Sequence, residues 1–193
     1  MQFQVLLAHG LVPGSTVLDI GCGALRAGYW LIHFLRPGGY HGIEPFREMV
    51  DAAREQILEP GIEAEKQPIF AHNDDFDLSV FGNRVAFDFM LARSIWTHAS
   101  RSQIETMLDG FAEVGAHDAT FLVSYLPSSL RARTYTGQSW VGRGSHSTDL
   151  ADKRMVHHSR RRIRAACESR GLRLQEVKGW LAGNQEWLAI IKP

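Results

Sequence analysis

Apolar positions along the chain fall into short continuous runs and longer stretches with helical spacing. Val17–Ile20 is a short apolar run that ends in a glycine turn, and apolar residues three or four apart follow it up to Pro37. This pattern predicts a strand, a turn and a helix. The order repeats with a strand at 40–43 and a helix at 46–58. We therefore predict that strands and helices alternate along the chain.

The middle of the chain continues this alternation. Apolar runs at 69–71 and 86–92 predict two more strands, and 120–126 predicts a fifth. Between the last two, Ser100 and Gln103 have the spacing of a capping box in front of an apolar stripe, which predicts a helix start. Strands alternating with helices form a mostly parallel sheet covered on both faces, with ligands bound at the carboxyl ends of the strands.

The C-terminal third has a different pattern. Residues 127–149 are rich in Ser, Gly, Arg and Thr and exceed the usual connection of about 4–6 residues, so we predict a substrate loop there. A basic helix is predicted at 152–169. Strand-like runs at 172–177 and 186–191, joined by a short turn-rich connection, predict an antiparallel hairpin. The predicted fold class is α/β, a doubly wound, mostly parallel seven-stranded sheet with an antiparallel C-terminal hairpin.

Composition limits the class of protein. With 193 residues, 45% of them hydrophobic and 22% charged, the chain suits one folded domain spanning 1–193. Lys plus Arg and Asp plus Glu number 21 each, so no overall charge favours nucleic acid as a partner. No apolar run approaches the roughly 20 residues of a membrane span. The two cysteines suit a reducing compartment, and the start lacks a basic secretory leader. We expect a cytoplasmic protein.

The strongest chemical signal is the turn that begins at Asp19. Gly21 and Gly23 allow a ligand to approach the backbone, where N–H groups at the start of a helix face it. Glu44 ends the next strand, at the distance along the chain where nucleotide-binding folds place an acid that binds ribose hydroxyls. An adenosine-containing ligand fits this pair. Dinucleotide-binding folds have a third glycine three residues after the second one of this turn. Arg26 occupies that position here, which weakens the interpretation of the turn as a dinucleotide site.

Residues 17–23 and 42–45 resemble the first and second motifs of class I S-adenosylmethionine-dependent methyltransferases. The resemblance implies a Rossmann-like fold, S-adenosylmethionine as cofactor and methyl transfer as the activity. It implies that the glycine turn accommodates the amino-acid part of the cofactor, that Glu44 holds the ribose, and that Asp75 with the Phe76 backbone contacts the adenine. The full set of cofactor-binding residues implied in this way is Asp19, Gly21, Cys22, Gly23, Ala24, Arg26, Glu44, Pro45, Asp74, Asp75, Phe76, Ala92 and Arg93.

A narrower resemblance concerns the acceptor. Residues 21–28 together with 94–98 look like a bacterial branch associated with small-molecule or saccharide biosynthesis. We therefore expect a methyl acceptor that is a small metabolite with a hydroxyl or an amine, a sugar being one such class. Many relatives have helices ahead of the first strand that form a lid. Only about sixteen residues precede it here, so the lid is either missing or supplied by the loop at 127–149 or by a partner subunit of a homodimer.

His98 is the predicted catalytic base, because it follows the fourth strand and histidine titrates near neutral pH. Methyl transfer is an in-line displacement that chiefly requires alignment and exclusion of water, so no enzyme nucleophile is needed. The structural alternative is that His98 caps the helix that begins near Ser100. Three residues of the loop, Trp140, Tyr135 and His146, are candidates to shape the acceptor pocket.

Other residues keep two interpretations. Arg26 pairs either with the cofactor carboxylate or with Asp19 or Glu44, and Asp75 is either an adenine contact or a turn residue. The pair at 157–158 is read as a solvated or interface pair, and no metal site is predicted.

Three further activities compete with small-molecule methyl transfer. One is RNA methylation guided by the arginines at 160–162, although a solvated helix face is the favoured interpretation of these residues because no aromatic residues alternate with them. An NAD(P)-dependent oxidoreductase uses the same kind of glycine turn. A non-catalytic cofactor-binding protein is the third alternative.

Overall fold

The computed structural model describes residues 1–82, 85–141 and 155–193, and only the backbone of Leu181 and Ala182. Within these residues, eight strands alternate with six α-helices. The strands are β1 (Val17–Ile20), β2 (Tyr40–Ile43), β3 (Ile69–Ala71), β4 (Phe87–Ala92), β5 (Gly115–Pro127), β6 (His157–His158), β7 (Arg173–Ala182) and β8 (Gln185–Ile191). The helices are α1 (Gln2–Ala8), α2 (Gly28–Phe34), α3 (Arg47–Ile57), α4 (Ile62–Lys66), α5 (Arg101–Val114) and α6 (Arg160–Glu168).

The main sheet has the order β3-β2-β1-β4-β5-β8-β7. Its first five strands are parallel, whereas β8 pairs antiparallel with both β5 and β7. The short β6 pairs with the end of β5 outside this path. The predicted doubly wound sheet of seven strands with an antiparallel C-terminal hairpin is confirmed. The carboxyl ends of β1, β2, β3 and β4 lie at one edge of the sheet, and the strand order reverses between β1 and β4. Sheets of this kind bind ligands in the crevice outside such a reversal, and this edge is called the crevice below.

Side chains alternate strictly between two buried layers. Leu18 and Ile20 of β1 pack in the layer that contains α5 and α6, whereas Val17 packs with α1, α2 and α3. In β4, Met90 and Leu91 divide in the same way. This period of two along buried strands is what a parallel sheet covered on both faces requires.

The start of α5 follows the prediction. The Ser100 hydroxyl accepts a hydrogen bond from Gln103 N at 3.3 Å, and Ser100 N donates to Gln103 Oε1 at 2.8 Å. These reciprocal bonds form a capping box that satisfies backbone groups at the helix terminus. Ser100 is itself fully buried, so the cap fixes the connection from β4 to α5.

Two predicted boundaries in the C-terminal part are wrong. The basic helix α6 begins at Arg160, because 156–158 pair as extended backbone: Val156 N donates to Thr97 O, and Ser128 N donates to His158 O. Tertiary backbone pairing here overrides the helical spacing. The hairpin strands are longer than predicted and turn at 183–184, with a register shift after Val177.

Two helices were not predicted. The N-terminal residues form α1, whose Val5 and Leu6 are fully buried in the same layer as α2. Helix α4 is a short element with no buried residue. No helix in the described ranges is long and apolar enough to cross a membrane.

Candidate active site

The glycine turn after β1 is bound to the end of β2. Gly21 N and Cys22 N both donate to Ile43 O, at 2.8 and 3.1 Å. Gly21 has a φ of 70°, and a methyl group there would overlap Cδ1 of Ile95 and lie 3.0 Å from its Cγ1. Glycine is therefore required at this position both by the backbone conformation and by the packing of Ile95.

Glu44 connects β2 to that turn. Its Oε2 accepts a hydrogen bond from Gly23 N at 3.1 Å, and its Oε1 accepts one from Phe46 N at 3.2 Å. The backbone carbonyl of Glu44 accepts a bond from His72 Nδ1 at 2.8 Å. Each carboxylate oxygen can accept further bonds, so a carboxylate held by two backbone N–H groups remains able to bind a ribose diol.

Asp19 lies beneath the turn and is 3% exposed. Its Oδ2 accepts a hydrogen bond from the Tyr40 hydroxyl at 3.1 Å. Burial, with a smaller contribution from the charge of Glu44, raises the pKa of Asp19 to about 7, against the lowering effect of the Tyr40 hydrogen bond. This buried carboxyl thus titrates near neutral pH.

The loop after β3 carries the residues predicted at the adenine. Asp74 and Asp75 are exposed, and Phe76 is almost buried with a φ of 62°. Asp75 Oδ1 accepts a hydrogen bond from Asp77 N at 3.1 Å. This is the turn role considered for Asp75, and it leaves the second carboxylate oxygen available.

Strained backbone recurs at this edge of the sheet. Leu25, Phe76 and Ser94 have positive φ values of 55°, 62° and 61°, and they follow β1, β3 and β4 respectively. Non-glycine residues adopt this conformation at a cost of order 1–3 kcal/mol, and such residues concentrate at functional sites. Three of the loops that surround the crevice are therefore held in unusual conformations.

His98 lies in the connection from β4 to α5, where its ring is held by Val141 of the predicted substrate loop. Its Nδ1 donates to Val141 O at 2.7 Å, and Val141 N donates to His98 O at 2.8 Å. Because a carbonyl only accepts, the neutral ring has its proton on Nδ1 and a lone pair on Nε2. The helix is capped by Ser100 and Gln103, so the capping alternative for His98 is wrong.

Trp140 joins the two sides of the crevice. Its ring stacks on His98 with centroids 5.5 Å apart and an interplanar angle of 26°, and it lies 6.4 Å from the Phe76 ring. Tyr135 instead donates to Ser139 O at 3.0 Å. His146, the third residue predicted to shape the acceptor pocket, and residues 142–149 of the loop lie outside the described residues.

A buried polar cluster fixes the end of β4. Ser94 N donates to the Ser124 hydroxyl at 2.7 Å, and that hydroxyl donates to Gln185 Oε1 at 2.6 Å. Gln185 Nε2 in turn donates to the Ser94 hydroxyl at 3.0 Å. The contacts of Ser124 and Gln185 were not predicted from the sequence, and neither were those of Tyr40, Ile95 and Val141. Their partners are far along the chain, and no local pattern indicates them.

The remaining predicted site residues differ in accessibility. Ala24 and Pro45 are exposed, whereas Ala92 is fully buried and can offer a ligand only its backbone. Cys22 is 6% exposed, and burial raises its pKa above the usual range of a thiol. It acts as a small residue in a tight turn and not as a reactive group.

Arg26 is exposed and Arg93 is partly buried. Among the described residues, neither guanidinium forms an ion pair or a side-chain hydrogen bond, so the alternative that pairs Arg26 with Asp19 or Glu44 is wrong. Burial lowers the pKa of Arg93, and the charge of Arg26 lowers it further.

The basic helix and the possibility of a metal site were also considered from the sequence. Arg160 pairs with Glu176 at 2.7 Å and with Glu186, which connects α6 to the hairpin. Within the part of the chain that the structure describes, no group of three His, Cys, Asp or Glu residues is arranged to hold a metal ion.

No protein-family model matches the chain, and no curated protein matches its sequence. Solved structures do match its fold. Magnesium protoporphyrin IX methyltransferase from Synechocystis with bound S-adenosylmethionine is 18% identical with a TM-score of 0.68, over 99% of this chain and 76% of that one. A TehB-like methyltransferase from Corynebacterium glutamicum is 17% identical with a TM-score of 0.61, over 99% and 86%.

A third structure is matched along almost all of its length. This S-adenosylmethionine-dependent methyltransferase from Methanosarcina mazei is 17% identical with a TM-score of 0.63, over 96% of this chain and 94% of that one. At these identities the similarity shows the fold alone, and the chain has the Rossmann-like fold of these S-adenosylmethionine-dependent methyltransferases.

Proposed function

We propose that the protein is a methyltransferase that moves a methyl group from S-adenosylmethionine to a hydroxyl or an amine of a small metabolite. The observation that carries this proposal is the hydrogen bond from Gly23 N to Glu44, which joins the glycine turn and the acid after β2 in one site. Two elements predicted separately to bind the same adenosyl ligand are in direct contact. They lie in a fold that also occurs in a methyltransferase with bound S-adenosylmethionine.

The chain's donor set fits this cofactor. Glu44 would accept hydrogen bonds from the ribose hydroxyls, and the turn at Gly21 and Gly23 would face the amino-acid part. Asp75 and the Phe76 backbone, next to the Trp140 ring, would take the adenine. When bound, the cofactor supplies a methyl group on a sulfonium, which is a strong electrophile. The protein has to place the acceptor in line with that group and exclude water.

His98 would remove the acceptor proton. Its Nδ1 is committed to Val141 O, so Nε2 is the atom that would accept a proton from a hydroxyl or an ammonium group. The stacked Trp140 ring restricts rotation of the imidazole. Because Val141 belongs to the predicted substrate loop, the base and the cover of the site would be positioned together.

Calorimetric titration with S-adenosylhomocysteine and with NAD⁺ tests the proposal against the oxidoreductase alternative. We expect binding of the first compound and none of the second. NAD⁺ binding alone would contradict the proposal. Turnover of S-adenosylmethionine across a panel of sugars, hydroxy acids and amines then separates an enzyme from a non-catalytic binding protein, which would bind the cofactor without consuming it.

A further inference from the structure

Two arginines lie at the same edge of the sheet, in the segments that follow the neighbouring strands β1 and β4. Arg26 lies between the glycine turn and α2, and Arg93 directly follows β4. In the parallel pairing of these strands, Asp19 is opposite Leu91. Gly21 and Arg93 each come two residues later, so Arg93 is level with the glycine turn. The charge of Arg26 also lowers the pKa of Arg93, after the larger effect of burial, which agrees with this placement.

The carboxylates of the crevice do not neutralise this pair. Asp19 accepts the hydrogen bond of the Tyr40 hydroxyl, and Glu44 accepts bonds from two backbone N–H groups. Among the described residues, neither Arg26 nor Arg93 has a carboxylate partner. A partly buried guanidinium beside a second cation is unfavourable unless an anion binds there.

The proposed cofactor does not balance these charges by itself. S-adenosylmethionine has one carboxylate, one ammonium and one sulfonium, a net charge of +1. Its carboxylate can pair with one guanidinium, and Arg26 at the glycine turn is the nearer candidate along the chain. The other guanidinium, the ammonium and the sulfonium then still lack a counter-charge.

We propose that Arg93 binds an anionic group, a carboxylate or a phosphate, of the methyl acceptor. This inference rests on the proposed function and names its substrate class: a hydroxyl or amine compound that also has an acidic group. Arg93 and His98 belong to the same connection between β4 and α5. An acceptor with its acidic group on Arg93 would thus be bound at the segment that also contains the proposed base, five positions further along.

The test uses inorganic phosphate and acetate as probes, because they need no knowledge of the acceptor. Each is titrated into protein saturated with S-adenosylhomocysteine, and separately into protein saturated with 5′-deoxy-5′-methylthioadenosine, which lacks the cofactor's carboxylate. We expect phosphate to bind in both cases. Arg93→Gln should weaken this binding by about tenfold or more, Arg93→Lys should retain most of it, and Arg161→Gln on the exposed face of α6 should leave it unchanged.

Four binding results overturn the inference. Phosphate and acetate that bind only the methylthioadenosine complex would mean that the arginines serve the cofactor's carboxylate. Absence of binding in both complexes, or equal binding by wild type and Arg93→Gln, would remove Arg93 as an anion site. If wild type binds neither nucleoside, the proposed function itself fails, and the inference that rests on it fails too.

Stability provides a readout that separates a binding role from a structural one. Arg93→Gln removes a desolvated charge near another cation, so the melting temperature of the ligand-free variant should equal or exceed that of wild type. A marked fall in melting temperature would show that Arg93 stabilises the fold, and would also overturn the inference.

Discussion

Gly23 N donates a hydrogen bond to Glu44 Oε2 at 3.1 Å, joining residues that are 21 positions apart. The bond connects the turn after β1 to the end of β2, which are adjacent strands in the sheet. It holds the carboxylate at the mouth of the crevice with its remaining lone pairs available to a ligand. Glu44 is 8% exposed, so this orientation is protected from competing water.

Substituting Glu44 should weaken cofactor binding. Glu44→Ala removes the charged acceptor of the proposed ribose hydrogen bonds, and we expect a loss of about 1–3 kcal/mol in the binding free energy of S-adenosylhomocysteine, measured by calorimetry. Glu48→Gln, an exposed acid in the first turn of α3, is the matched control and should bind normally. Equal affinities of Glu44→Ala and wild type would exclude Glu44 from the site.

Substituting His98 should affect turnover and not cofactor affinity. If Nε2 accepts the acceptor's proton, His98→Ala should lower kcat by about 10²-fold or more, with S-adenosylhomocysteine affinity nearly unchanged. His117→Ala is the control, because His117 is exposed and its ring hydrogen-bonds to its neighbour Asp118. An unchanged kcat in His98→Ala would show that alignment of the reactants, without a base, accounts for the rate.

Most of the fold could be predicted because it depends on local periodicity. The runs at 17–20 and 40–43 and the capping box at Ser100 each appear within a few residues of sequence, and the structure has them in place. The helix at 152–169 was predicted too long because its first residues are determined by long-range pairing and not by local periodicity. His157 and Val156 pair with backbone groups of β5 and of Thr97, which no local pattern shows.

The site shows the same division. The glycine turn and Glu44 were predicted because their spacing alone indicates a nucleotide site. The contacts that position them were not: Ser94 meets Gln185 across 91 residues, and the ring of His98 is held by Val141 across 43. Such partners are specified by how the strands assemble. Local patterns within one sequence do not show these long-range partners.

Adding one methyl group at Gly21 should destabilise the protein. In Gly21→Ala the new Cβ would overlap Ile95 Cδ1, and the φ of 70° is unfavourable for alanine. We expect a loss of about 2–4 kcal/mol in the free energy of unfolding, from overpacking and backbone strain together. Urea denaturation measures this loss. Gly10→Ala is the control, since it has a positive φ but open space around it, and should cost less.

The double variant Gly21→Ala/Ile95→Ala separates the two causes. Removing the Ile95 side chain relieves the overlap but not the backbone strain, so the double variant should lose less than the sum of the two single losses. Strict additivity would show that Ile95 does not press on the turn, and that the conformation alone demands glycine at this position.

The buried side chains of Asp19 and His41 make the free energy of unfolding depend on pH in opposite directions. Burial raises the pKa of Asp19 from 3.8 to about 7, so its contribution to stability is present at acid pH and is lost as the pH rises through this window. Burial lowers the pKa of His41 from 6.5 to about 4. That contribution is present above pH 6.5 and is lost as the pH falls towards 4. Between about pH 4 and pH 6.5 the two slopes therefore oppose each other.

Removing one group should expose the slope of the other. Between about pH 4 and pH 6.5, the free energy of unfolding of Asp19→Asn should rise with pH more steeply than that of wild type, by up to about 1.4 kcal/mol per pH unit. His41→Phe should change the slope in the opposite direction, because only the Asp19 contribution then remains of the two. Denaturant titrations at a series of pH values measure both differences. Parallel profiles for wild type and Asp19→Asn would mean that Asp19 is ionised in the folded protein throughout this range, and hence that the carboxyl beneath the glycine turn is far better solvated than its burial implies.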